Sequence, residues 1–570
     1  MVVPINIPLA TDTKLFNNVK PVSRNTKIVL KKKARPVIRS QKRPCLILSL
    51  TAFTVICLFM TVLYFNPLSY EPWYKTATLY HVDVGTFQDS DGDGIGDLKG
   101  LISKVEYLER QNIKALMLSS FYKSENDGII NHKDVCHTCG VMDNFRELIK
   151  QLKKKGIRLI IDFYPNHTSD KHPWFTASIK GLKSYDDYYI WSDSASDDER
   201  KPPNNWLNIH GESAWTWNEE RKQFYLGIFG KHLPDLNLRN PLVRNELKDI
   251  ITYWMEEDVD GFNVVAASHL VENSYLFNEP VLTLNKAKNL QYENIDHIFT
   301  IDQHENLDLF AEWKKIINNF SKKKILIAEV SGSFPKGRMY YGNETFPLAT
   351  LVYNSEFTQI NENVTGTKLR WYFASSIDDV PSYGWPAWMI GSKTKPRLGS
   401  RVGDLLDGIH MIVMLAKGTP ITYSGDEFGI SSLPNEDNVQ MSMKRESHLS
   451  IFRKLLELRN HYVIIYGIQQ YPIVTDQVFS LLRCHDSKGF LVAVNLSNDP
   501  ITLDFTGTSP RLPSKATLVL QSGHFVNSSL SNKEQQKVSL NNIYLGPKHA
   551  ALFSFGPSVN VRDKKKRPKM

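Results

Sequence analysis

Cysteine is scarce, with five in 570 residues, too few for disulfides to serve as the scaffold of the fold. Glycine (31) and proline (28) stay at ordinary usage, which excludes a collagen-like repeat and a wholly disordered chain. At 42% hydrophobic and 23% charged residues, the chain has material for a large core and more than one domain. The globular body also lacks any excess of positive charge. Of the net charge of +9, residues 1–43 contribute +10 and residues 562–570 contribute +5, which leaves the rest at −6. The basic character belongs to the two ends, so no nucleic-acid surface is implied.

What is present begins with an uncharged run, CLILSLTAFTVICLFMTVLYF, over residues 45–65. As a helix it would extend ~31 Å, one bilayer crossing. A cleaved signal peptide is the rival reading, but 43 residues precede the run and no small-residue cleavage site follows it. The Lys/Arg cluster immediately before the span stays cytoplasmic. The expectation is a single-pass type II protein with a basic cytoplasmic tail (1–43), a transmembrane helix (44–66) and everything beyond on the outer side.

Past the membrane, short apolar stretches alternate with amphipathic ones, the pattern of parallel βα units. Strands are predicted at 78–84, 113–120, 158–165, 260–267, 324–330, 348–354, 388–391 and 418–425. Between the second and third, MDNFRELIKQLKKKG places Met142, Phe145, Leu148, Ile149 and Leu152 on one helical face, and Gly156 stops it. Eight strands suggest an α/β fold of the TIM (β/α)8 type, over 73–169 and 226–466. Residues 170–225 are too long for a loop and read as an inserted domain B after strand 3. Residues 467–557 turn to strands without helices and read as a C-terminal antiparallel β-sandwich, followed by a basic tail, 558–570.

DFYPNHTSDKHPWF (162–175), PPNNWLN (202–208), LPDLNLRNP (233–241), DGFNV (260–264) and GTPITYSGDEFG (418–429) resemble the α-amylase family of glycoside hydrolases, in its α-glucosidase branch. SSFYKS (119–124), DYYIWSD (187–193), RMYYG (338–342) and WPAWMIG (385–391) are similar to rBAT-type heavy subunits of heteromeric amino-acid transporters, type II membrane proteins with an α-glucosidase-like ectodomain. A retaining glycosidase needs two carboxylates flanking the scissile bond, one as nucleophile and one as acid/base. The resemblance sets the nucleophile at the end of strand 4, where Val265 stands, with Asn263 in place of a partner Arg. A valine has no lone pair with which to attack. The acid/base position keeps Glu329, and the third carboxylate position holds Thr394, after Lys393 in place of a His. The resemblance implies no functional catalytic residue, with Glu329 and His167 as remnants.

The loop DSDGDGIGDLKG offers Asp89, Asp91, Asp93 and Asp97, a spacing similar to a Ca²⁺ loop, with the Ile95 carbonyl added by the family resemblance. A second Ca²⁺ site of rBAT type would carry over onto Asn166, Asp235, Glu272 and the carbonyls of His269 and Leu270. Heavy subunits join their partner through a Cys just outside the membrane, yet residues 66–76 contain none, so a non-covalent association is expected. Cys136, Cys139 and Cys484 are odd in number, which leaves at least one thiol free or paired with another chain. A lone C-x2-C is a weak zinc signal. Glycosylation sequons occur at Asn319, Asn343, Asn363, Asn495 and Asn527, and at Asn166, where coordination would compete.

The resulting expectation is a catalytically inactive heavy subunit at the plasma membrane, associating with and stabilising a multi-pass amino-acid transporter light subunit, with structural Ca²⁺. The alternatives are a membrane-anchored maltase-like α-glucosidase and a sugar-binding or adhesive ectodomain without a transport role.

Overall fold

The computed structural model describes residues 71–556, apart from 197–199, 283–290, 332–336, 355, 379, 431–445 and 523–535. The apolar run 45–65, both basic tails and Asn527 lie outside the described residues. Among the described residues no helix is long and apolar enough to cross a membrane.

Eight parallel strands form the centre: β1 Leu79–Asp83, β2 Ala115–Ser119, β3 Arg158–Phe163, β4 Gly261–Val264, β5 Ile325–Val330, β6 Leu351–Asn354, β7 Ala387–Met389 and β8 Thr419–Tyr423. Their order is β6-β5-β4-β3-β2-β1-β8-β7, and a single parallel bridge from Val352 to Pro386 spans the remaining seam. Proline has no N–H to give a ladder, so the ring is nearly rather than fully closed. Alternate residues explain why these segments read as apolar runs. Leu79, Met117, Ile160, Ile327 and Ile421 point inward and pack together. Tyr80, Leu116, Ile161 and Leu326 point outward into the layer shared with the helices. Strands buried on both faces show little polar alternation.

Of the helices, α1 (Met142–Lys154) buries Phe145, Leu148, Ile149 and Leu152 as its spacing predicts, while Met142 at the first turn is only partly covered. Gly156 follows in a left-handed conformation, φ +68°, which a Cβ would disfavour. Helix α2 (Pro241–Glu256) is capped by the Asn240 side chain, which accepts from Leu242 N at 2.8 Å, and begins on proline. Its Trp254 is fully buried against Phe121 and Phe145, with ring centroids 5.4 and 4.9 Å away. Truncating such a residue to Ala costs roughly 3–5 kcal/mol.

Between β3 and β4 the chain builds a three-stranded antiparallel sheet from Trp191–Ser192, Gln223–Leu226 and Trp215–Asn218. It has a core of its own, in which Trp206 and Trp215 stack with Phe224 and Leu226 nearby. The C-terminal region differs from a sandwich of two comparable sheets. A six-stranded antiparallel sheet, from Ile468–Gln470 to Ala550–Phe555, is accompanied by one short pair, Ile501–Leu503 with Ile543–Leu545. Leu503, Ile543 and Leu545 share a core with Leu482, Leu491 and Phe553 of the large sheet.

Candidate functional site

The carboxyl ends of the barrel strands converge on a set of ionisable groups, the place where such barrels build their sites. Asp162, near the end of β3, is buried. Its carboxylate accepts from Asn263 Nδ2 at 2.8 Å and from the Tyr164 hydroxyl at 3.3 Å. His81 Nε2 of β1 stands 3.8 Å away, but burial pushes its pKa down to about 4, so the ring is neutral. Burial also pushes the Asp162 carboxyl up to about 7, against the pull of Asn263. Glu329 of β5 keeps part of its surface open to the cleft, yet it lies deep enough that desolvation raises it to about 7. The Tyr353 hydroxyl of β6 steadies its ionised form.

Val265 follows β4 and is half-buried, its amide donating to the Phe163 carbonyl at 3.0 Å. No carboxylate stands at that position. After β7, Thr394 is exposed and bonded locally, its hydroxyl 3.1 Å from that of Ser392. Lys393 instead reaches across to β1 and β2, with Nζ 2.8 Å from Asp83 Oδ2 and 2.6 Å from Ser120 Oγ. Asp83 is almost wholly buried and also accepts from Ser120 Oγ at 2.6 Å. After β8, Asp426 is buried and desolvated to a pKa of about 7, beside Arg397. Only glycine fits at 391, because a Cβ there would collide with the Asp426 carboxylate. Asp83, His81, Asp162 and Asp426 were not singled out from the sequence. The available signal was a polar residue closing an apolar strand, as in RLIIDF and GTPITYSGD.

A second constellation lies where the inserted segment meets the barrel. Asp235 and Glu272 are both buried, and each keeps one oxygen, Asp235 Oδ2 and Glu272 Oε1, without a hydrogen-bond partner among the described residues. Asn166 Nδ2 donates to the His269 carbonyl, and Leu236 N donates to the Asn166 carbonyl at 2.7 Å. Burial drives the Asp235 carboxyl well above its usual range, with the Glu272 charge adding to it. Burial raises Glu272 to about 8. Two buried acids with orphaned oxygens, beside an amide and the His269 carbonyl, are donors of the hard-oxygen kind that suits Ca²⁺. His167 stands with this group: its Nδ1 is 3.0 Å from Asn166 Oδ1 and its ring lies 5.0 Å from that of Phe229.

In the loop after β1, Asp89, Asp91 and Asp97 bring carboxylate oxygens within 4.8 Å of one another. Asp93 is not in that group, and its Oδ1 accepts from Ile95 N at 2.7 Å. Asp89 accepts from the amides of Asp91, Gly92 and Gly94, which hold its carboxyl below the usual range. Asp97 caps the helix Leu98–Ser103 through Gly100 N at 2.8 Å. The loop's own N–H groups thus satisfy these oxygens, and the donor set fits a cation less compellingly than the junction does.

Cys136 and Cys139 are bonded to each other, and Cys484 is a buried free thiol. The odd thiol is thus the interior one, and the C-x2-C pair is a disulfide rather than half of a zinc site. Asn319, Asn343 and Asn363 are exposed. Asn495 departs from expectation: it is fully buried, and its Nδ2 donates to the carbonyls of Asp499, Leu545 and Gly546 at 2.7, 3.3 and 2.7 Å. That nitrogen has no path to a glycan in the folded chain.

The pattern of the alpha amylase catalytic domain matches residues 84–447. The chain belongs to the alpha-amylase family. The chain is 38% identical over 374 residues to the amino acid transporter heavy chain SLC3A1 of Mus musculus, covering 63% of this chain and 54% of that protein. It is 35% identical to the heavy chain SLC3A1 of Homo sapiens over 376 residues. It therefore spans about half the length of the curated heavy chains that it matches. It is also 30% identical over 524 residues to Maltase A2 of Drosophila melanogaster, covering 80% of this chain and 91% of that protein. The alpha-glucosyl transfer enzyme XgtA shares the fold, with a TM-score of 0.72 at 22% identity, covering 85% of this chain and 100% of that one.

Within this alpha-amylase barrel the retained groups have definite chemistry. Glu329, poised near neutrality, can hold or release a proton. Asp162 is oriented inward by Asn263, and Lys393 neutralises Asp83. The raised carboxyls also set a pH dependence. Asp162 and Glu329 ionise near 4 when unfolded and near 7 when folded. The folded state binds more protons between those values, so stability falls as pH rises through that window. The thermal midpoint should drop between pH 4.5 and 7.5, and Asp162→Asn with Glu329→Gln should flatten part of that slope. Identical slopes for the two proteins would contradict the burial argument.

Proposed function

We propose that this chain is a catalytically silent member of the alpha-amylase family that associates with a multi-pass amino-acid transporter light subunit and stabilises it at the plasma membrane. In this reading residues 45–65 anchor it as a single-pass type II protein with the barrel outside. A structural Ca²⁺ sits among Asn166, Asp235, His269, Leu270 and Glu272, and glycans occupy exposed Asn319, Asn343 and Asn363.

The carrying observation is Val265 at the mouth of β4, where the family mechanism needs a nucleophilic carboxylate. Similarity to amino acid transporter heavy chains supports the transport role. A single helix cannot itself build a translocation path, because such sites lie between several helices. The maltase reading draws on the long match to Maltase A2, and Val265 opposes it. Depleting the chain from cells that express it should lower amino-acid uptake and leave membrane α-glucosidase activity unchanged. Loss of glucosidase activity with uptake intact would reverse the assignment.

A further inference from the structure

A pocket of about 450 Å³, whose lining shares no residue with the cleft or the junction, opens between three elements. These are the hairpin Tyr122–Glu125 with Gly128–Val135, the short helix Pro173–Ile179 and α2. Its size is that of a small-molecule site. Three lysines line it against one carboxylate, Glu246. Lys133 pairs with no acid among the described residues. Lys171 lies 3.9 Å from Asp170, a carboxylate already held by His232 at 2.8 Å. Lys123 is a loose 3.7 Å from Asp134. Lys133, which has no acidic partner among the described residues, is thus the group placed to meet an anion at this pocket, with the loosely held Lys171 beside it.

The rest of the lining restricts which anion. Trp174 is half-buried, wedged beside His172 at 4.4 Å, and presents an indole to the pocket. An aromatic plate suits the C–H face of a ring. Asn131 Oδ1 accepts from Lys133 N at 2.9 Å, which leaves its amide nitrogen as a donor. Glu246 accepts hydrogen bonds from hydroxyls and repels a multiply charged group. His132, only 3% exposed, borders the same pocket, and burial keeps its ring neutral.

We propose that this pocket binds an acidic monosaccharide, a hydroxylated ring carrying one carboxylate. Lys133 and Lys171 take the carboxylate, Glu246 and Asn131 take hydroxyls, and Trp174 covers the ring. The site is independent of the heavy-subunit reading, since it uses no residue of the cleft.

The test is ligand-detected NMR and titration calorimetry on the full chain in detergent, with glucuronic acid and N-acetylneuraminic acid as probes and glucose and inorganic phosphate as comparators. An acidic sugar should bind, glucose and phosphate should bind far more weakly, and Lys133→Ala with Lys171→Ala should lower affinity about tenfold or more. Both lysines are at least partly exposed, so an unchanged melting curve will show that the variant folds. Glu246→Gln should raise phosphate binding relative to glucuronate. Failure of both acidic sugars to bind, phosphate or glucose binding as well as they do, or unchanged affinity in the double-lysine variant would overturn the proposal.

Discussion

Offered maltose or an aryl α-glucoside, the purified chain should release glucose no faster than the buffer blank. The double displacement of a retaining glycosidase needs a carboxylate to form the glycosyl-enzyme bond, and Val265 has no atom that can do so. Loss of a covalent nucleophile removes roughly 10⁴-fold or more in rate, so Glu329 alone should not bring turnover into the measurable range. Asn263 holds Asp162 at 2.8 Å without a guanidinium charge, and Lys393 is tied to Asp83 at 2.8 Å. Val265→Asp with Thr394→Asp should therefore restore a trace at most. Robust turnover that disappears in Glu329→Gln would contradict this account.

Chelation should lower the thermal midpoint of the chain, and added Ca²⁺ should restore it. A ligand that binds only the folded state stabilises it by about 2.7 kcal/mol at a hundred times its Kd. The effect should be large, because Asp235 and Glu272 are buried together with unpartnered oxygens. Two desolvated acids repel when both ionise, and a divalent cation between them removes that penalty. Asp235→Asn with Glu272→Gln should fold without Ca²⁺ and lose its response to chelator. A wild-type melting curve indifferent to both chelator and Ca²⁺ would remove the cation from this site.

The barrel was legible because its strands are buried on both faces and read as apolar runs; each predicted strand overlaps an observed one. The hairpin after β2 was not, since YKSE and GIINHKDV carry neither an apolar run nor clean alternation, and much of the first strand is exposed. Three-residue strands such as Lys537–Ser539 leave too short a pattern to see. The placement of Val265, Glu329 and Thr394 near the ends of β4, β5 and β7 follows from motif order in the sequence. The Lys393–Asp83 pair does not, because 310 positions separate its members and neither segment announces the other. The Asn495 sequon misled for a related reason: N-x-S describes three residues, whereas its burial is set by carbonyls from Asp499 to Gly546.

In the proposed reading this barrel works through a partner rather than through its cleft. Affinity purification of the chain from native membranes in mild detergent, with identification of every multi-pass protein that accompanies it, tests that claim most directly. An amino-acid transporter chain should co-purify and run apart from this one on a denaturing gel without reductant, because residues 66–76 carry no Cys and, among the described cysteines, Cys136 and Cys139 are bonded to each other and Cys484 is interior. Purification of the chain with no multi-pass partner would contradict the account.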